Sequence, residues 1–213
     1  FKEYKMNSLD LVNVIKSISS IMNENRDYLI ELDAQNGDGD LGISMSNGFK
    51  ALVSFLENNK ENDIGKVFMK MSSVFNEASP SSLGTILSFA MIGMAKSLKG
   101  KNKIELVDIA QAFENGIKTI MDKANSKLGE KTILDSLYYG VETLKNNVDL
   151  TPKEAFEKAF ASASEGSENT RNMKAVHGRA SYYGDKSLGV LDGGSVVGKL
   201  IFEGIYNYYI EAS

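Results

Sequence analysis

Apolar residues recur every three to four positions through almost the whole chain, and that spacing leaves room for little except helices. Leu9, Leu11, Val12, Val14, Ile15, Ile18, Ile21 and Met22 form one such face, with Asn7 and Ser8 ahead of it as caps. A short apolar run, Tyr28 to Leu32, follows. Met45 to Leu56 and Ile64 to Phe75 continue the pattern, as do Ile86 to Leu98, Ile104 to Met121 and Leu134 to Leu144. Thr151-Pro152-Lys153-Glu154 reads as a helix start, with Thr at the cap, Pro at the first position and Glu at the third; that helix runs to about Ser164. A last helix spans about Ser195 to Tyr209. No alternating strand pattern competes with these. The sequence predicts an all-α fold of about eight amphipathic helices in a single domain over residues 1–213.

Three polar stretches interrupt the helices. The first, Leu32-Asp33-Ala34-Gln35-Asn36-Gly37-Asp38-Gly39-Asp40-Leu41-Gly42, reads as a loop that puts three carboxylates at i, i+5 and i+7 among glycines. Gathered carboxylates repel one another unless a cation neutralises them, and hard oxygen ligands suit Mg²⁺ or Ca²⁺. Asn-Gly and Asp-Gly are also common turn formers, so the residues alone leave a metal site and a solvated turn both open. The second, Ala78-Ser79-Pro80-Ser81-Ser82-Leu83-Gly84-Thr85, is a serine-rich helix entrance, where N–H groups and the helix dipole favour an anion; a plain capped helix start is the alternative. The third, Gly178 to Gly194, is a glycine-rich loop too long for an incidental connection.

Other chemistries are excluded. A net charge of −4 and a pI of about 5.2 argue against a general nucleic-acid or anionic-membrane surface. The absence of cysteine removes disulfides, zinc-thiolate sites and thiol nucleophiles. No apolar run is long enough for a membrane span, and no basic-then-apolar leader opens the chain, so a cytoplasmic setting is expected. Phe1 to Lys5 reads as a tag remnant. His177 is the single histidine, which makes a triad or a histidine-based zinc site improbable, and a structural role is expected for it. The acidic stretch is not an EF-hand: the twelfth residue from Asp33 is Ser44 and from Asp38 is Phe49, where a bidentate Glu is required. No lysine-bearing phosphate loop is present. Phosphoryl chemistry in this chain would rest on metal and helix N-termini, as suits a reaction dominated by positioning and charge neutralisation.

Three blocks together resemble one family, the nucleotide-binding L subunit of dihydroxyacetone kinase. They are Leu32-Asp33-Ala34 through Asp38-Gly39-Asp40-Leu41-Gly42 to Gly48-Phe49, then Gly129-Glu130-Lys131-Thr132-Ile133-Leu134-Asp135, then Gly178-Arg179-Ala180-Ser181-Tyr182 with Gly184, Ser187, Gly189 and Asp192. They occur in family order over most of the chain. The resemblance implies a closed barrel of eight antiparallel helices with a nucleotide at one end. It implies two Mg²⁺ held by Asp33, Asp38 and Asp40, bridging the phosphates of ADP or ATP. Leu41, Gly42, Ile43 and Ser44 would border the phosphates, with Ser79 and Pro80 at the family's Ser-Gly phosphate turn. Ile133 would lie near the base, and Arg179, Asp192, Gly193 and Gly194 would make further nucleotide contacts.

The implied activity is a phosphotransferase relay. Bound ADP takes phosphate from a phosphohistidine protein of the phosphotransferase system and passes it to dihydroxyacetone, or a related short ketose, on a separate K subunit. A homodimer is also among the assemblies the resemblance allows. The chain departs from the family at Leu41 (usually His), Ser44 (usually Asn), Pro80 (usually Gly) and Gly193 (usually Pro). A second reading is therefore a divergent nucleotide-binding regulatory or interaction module without turnover. From the residues themselves, Arg179 offers a planar fork to an anion. Lys131 and Lys186 read as solvated surface charges, and Tyr182 and Tyr183 as site rim, partner-docking surface or core.

Overall fold

The computed structural model describes residues 5–212. Of the suggested tag remnant, residues 1–4 lie outside that range. Lys5 pairs with Glu105 at 3.7 Å, and Met6 exchanges two backbone hydrogen bonds of 2.8 Å with Ile104, so the chain is already tied to the body there.

Nine α-helices form among the described residues: α1 (Ser8–Glu24), α2 (Arg26–Asn36), α3 (Leu41–Glu57), α4 (Ile64–Ala78), α5 (Ser82–Leu98), α6 (Leu106–Ala124), α7 (Leu134–Lys145), α8 (Pro152–Asn169) and α9 (Gly193–Ala212). Local chemistry sets several starts. The Asn7 side chain accepts from the Leu9 and Asp10 N–H groups at 3.0 Å while Asp10 returns a bond to the Asn7 N–H. Thr151 caps α8 through the Glu154 N–H at 3.3 Å, with Pro152 in the first turn. α8 runs on to Asn169, five residues beyond the expected end, and α5 begins at Ser82 rather than Ile86, because Ser81 caps it through the Gly84 N–H.

Each helix except α2 buries its apolar stripe between neighbouring helices. α3 packs on α4, and the sequence continues through α5, α6, α7 and α8 to α9; α9 packs on α1, and α1 on α3, so eight helices close into a ring. Short connections make successive members antiparallel. Inward residues such as Phe49, Met71, Ile120, Phe156 and Phe202 are buried to 3% exposure or less and form one core.

The ninth helix, α2, stands outside that ring against α3. Only Leu29 and Leu32 are buried on it, which is why its periodicity is weak. It corrects the expected acidic loop: Leu32 to Asn36 belong to the end of α2, Leu41 and Gly42 begin α3, and only residues 37–40 connect them. No helix among the described residues is long and apolar enough to cross a membrane.

Candidate functional site

The alternation of direction brings four connections to one end of the ring: residues 37–40, 79–81, 125–133 and 170–192. They contain parts of the three polar stretches and, of the site residues expected from the sequence, all except Leu41–Ser44 and Gly193–Gly194, which open the adjoining helices, and Asp33.

Asp33 sits in the last turn of α2 and Asp40 at the head of α3, so the four-residue connection folds their carboxylates together with that of Asp38. One oxygen of each lies within 4.8 Å of the others. The Leu41 N–H donates to Asp33 Oδ2 at 3.3 Å and fastens the turn. Arg179 reaches in from the 170–192 connection, Nε 3.7 Å from Asp38 Oδ2, with both side chains exposed. Burial, then repulsion from Asp38, hold the Asp33 carboxyl above the ordinary range against the Leu41 hydrogen bond. Burial, the Asp38 contact and the other carboxylates likewise raise Asp40. A hard, all-oxygen donor set whose members repel one another fits a divalent cation of the Mg²⁺ or Ca²⁺ kind.

This arrangement depends on α2 and α3 lying close together. A Cβ built on Gly42 would stand 2.1 Å from the Arg26 carbonyl oxygen, so only glycine fits at that crossing. Beside it the head of α3 is joined to the turn before α5: Ser44 Oγ lies 2.5 Å from Ser79 Oγ and 2.6 Å from Ser81 Oγ. Ser79 is fully buried and Pro80 exposed, while Ser81, not singled out from the sequence, lies half-buried in the same network. Ile43 is exposed at the mouth and Leu41 buried beneath it. Gly193 lies against Leu41, where a Cβ would come within 2.7 Å of Leu41 Cδ2, and Gly194 lies beside Ile133, so the heads of α3, α7 and α9 meet. Ile133 itself is buried.

Asp135, with no exposed surface, orders the 125–133 connection by accepting from the Gly129 N–H at 2.7 Å and the Thr132 N–H at 2.9 Å. The 170–192 connection carries 3₁₀ turns at Thr170–Asn172 and on either side of a kink at Gly184 within Arg179–Ser187, and α9 starts two residues before Ser195. His177 pairs with Glu130 at 3.1 Å, across from the one connection to the other. Lys186 is exposed, but Lys131 is not: it is 4% exposed, which overturns its reading as a surface charge. Tyr182 and Tyr183 are 89% and 44% exposed, which removes the core reading for both.

Asp192 precedes α9, accepting from the Ser195 N–H at 2.8 Å. The residue as a whole is half-buried, yet its carboxyl faces inward, and burial pushes its pKa up to about 7 against the Ser195 hydrogen bond and the Lys131 charge; Asp135 and Asp33 add to the rise. A raised carboxyl means the folded state holds its proton more tightly than the unfolded chain between about pH 4 and 7. Stability without bound cations should therefore fall as pH rises through that window. Asp192→Asn keeps the cap and should flatten this part of the profile, measured by chemical denaturation at several pH values in EDTA.

The all-α ring with a three-carboxylate turn at one end defines the class: residues 35–207 match the DAK2 domain, and the chain belongs to that family. Among individual relatives it is 27% identical over 196 residues to the ADP-binding subunit DhaL of PEP-dependent dihydroxyacetone kinase 2 from Listeria innocua, covering 91% of each chain. It is 27% identical over 187 residues to the ADP-binding subunit DhaL of the Escherichia coli PEP-dependent dihydroxyacetone kinase, covering 87% of this chain and 89% of that one. A crystal structure of the dihydroxyacetone kinase from C. freundii in complex with AMP-PNP and Mg²⁺ shares the fold, with a TM-score of 0.72 at 20% identity; the match covers 92% of this chain and 33% of that longer one.

Proposed function

We propose that this chain is the ADP/ATP-binding subunit of a dihydroxyacetone kinase, acting on dihydroxyacetone or a related short ketose in the cytoplasm. The observation that carries the reading is the convergence of Asp33, Asp38 and Asp40 at the head of α3, a helix start with no side-chain cap. Uncapped first-turn N–H groups offer an anion donors backed by the helix dipole.

In this reading the three aspartates hold two Mg²⁺, which when bound neutralise polyphosphate charge and the charge that develops on a transferred phosphoryl group. The first turn of α3, from Leu41 to Ser44, lies along the phosphates. Ser44 and Ser81, held by their shared hydrogen bonds, present hydroxyls beside it, with Ser79 beneath as their anchor and Pro80 at the turn. Arg179 would hold the anion, and Asp38, its present partner, would supply a metal ligand. Ile133, Gly194, Gly193 and Asp192 form the floor on the base side. In this reading His177, paired with Glu130, is structural, and the phosphohistidine and the histidine that holds substrate belong to partners: a protein of the phosphotransferase system and a K subunit. The names of the two DhaL relatives, PEP-dependent and ADP-binding, support this division of labour.

The test is reconstitution. With a phosphohistidine donor and a dihydroxyacetone-binding subunit, the chain should form triose phosphate while its nucleotide stays bound. The departures at Leu41, Ser44, Pro80 and Gly193 favour a second reading, a regulatory module. Nucleotide binding without phosphate transfer to any ketose would select that reading instead.

A further inference from the structure

Lys131 has no task in the function proposed above, yet its surroundings are those of a bound cation. Its ammonium is ringed by four backbone carbonyls that share its three N–H donors: Thr170 at 2.8 Å, Ser187 at 2.7 Å, Met173 at 3.3 Å and Val190. Among the described residues no carboxylate pairs with it directly. Asp192 stabilises the charge from nearby, Arg171 opposes it, and burial works against it. A buried ammonium is tolerated only where dipoles replace its water. Rings of backbone carbonyls do that for K⁺ as well. The residue also holds a backbone φ of +65°, a left-handed conformation that side chains other than glycine, Asn and Asp seldom adopt.

The four carbonyls come from both ends of one segment. Thr170 and Met173 open the 170–192 connection; Ser187 and Val190 close it. Between them lies Arg179, which reaches Asp38, and directly after them Asp192, whose N–H donates to Thr170 Oγ1 at 3.0 Å. We propose that the Lys131 ammonium is a built-in monovalent cation, a positioning residue that draws the two ends of this connection together and so sets Arg179 and Asp192 over the site. Its closing of the connection is independent of the ligand; its consequence for nucleotide rests on the function proposed above.

Three substitutions and one spectrum test this. In the native protein the Lys131 ¹⁵Nζ resonance, assigned by its loss in Lys131→Met, should persist as a slowly exchanging ammonium. A solvent-exchanged Lys131 would overturn the proposal without need of any variant. Lys131→Met keeps the stem and loses the charge. Exchange of the Gly189 and Asp192 amides should then quicken at least roughly tenfold while the core helices stay protected. Native protection in that variant would overturn the proposal. Lys131→Gly relaxes the backbone and empties the cage, and added ammonium or K⁺ should restore protection. Lost protection that neither ion restores would assign the effect to packing and overturn the cation role; Lys131→Arg, too large for the cage, should not restore it. Where native protein binds Mg-ADP, Lys131→Met should weaken it by roughly tenfold or more, and unchanged affinity would overturn the positioning role. Native protein that binds no Mg-ADP would sink the nucleotide reading and leave the exchange results to decide the cage.

Discussion

Asp40→Asn should stabilise the cation-free protein and disable it at once. Asparagine has the shape of aspartate, and Asp40 makes no side-chain cap bond at the head of α3, so the helix start keeps its geometry. What the change removes is one of three mutually repelling carboxylates and, with Asp33, one of the two that desolvation and neighbouring carboxylates hold above the ordinary range. In EDTA the thermal midpoint should rise by about 1–2 °C, a small figure because Asp40 is exposed and solvent screens it. Mg²⁺-dependent nucleotide affinity should fall by more than the roughly 100-fold that loss of an outer-sphere partner costs. The two measurements must move in opposite directions. If the cluster were only a turn, stability would shift while nucleotide affinity stayed unchanged.

Gly42→Ala should damage both properties. Alanine is ordinarily the better helix former by about 1 kcal/mol. Here, however, its methyl would lie 2.1 Å from the Arg26 carbonyl oxygen and 2.9 Å from Ile30 Cγ1. A backbone carbonyl cannot rotate aside, so α2 must move off α3. Overpacking of this kind costs about 1–3 kcal/mol beyond any propensity gain. That should lower the thermal midpoint by roughly 5 °C in a chain of this size. Because α2 carries Asp33 and α3 carries Asp40, the same displacement should spread the carboxylates and weaken Mg-nucleotide binding. A variant with native stability and affinity would contradict the close crossing.

The two residues also mark what a sequence can and cannot say here. Asp33, Asp38 and Asp40 were legible because neighbours in sequence became neighbours in space. Their loop was drawn too long, since α2 buries only Leu29 and Leu32 and its helical signal is faint. The other helices were legible from local periodicity, but closure of the ring joins α1 to α9 across the whole chain, which no local pattern encodes. Resemblance supplied it. Gly42 read as a phosphate neighbour; its crossing with Arg26 is a tertiary fact.

Lys131 was misread for the same reason, because the carbonyls that bury it lie 39 to 59 residues further on. Its place between Gly129 and Asp135, in a turn too ordered for a surface charge, was the available signal. Ser81 is one of three serines in that helix entrance, and only the hydrogen bond to Ser44 distinguishes it. Tyr182 and Tyr183 were ambiguous because aromatic residues serve cores and rims alike.

The central claim is that the aspartate turn and the connections around it form a Mg-nucleotide site. Its most direct test is calorimetric titration of ADP into protein denatured, stripped of ligand and refolded, in Mg²⁺ and in EDTA, with the denatured supernatant analysed for nucleotide. Saturable binding in Mg²⁺ that EDTA abolishes, and that Asp40→Asn largely removes, is the predicted result. No Mg²⁺-dependent binding of ADP or of ATP, with no nucleotide released from the purified protein, would contradict it.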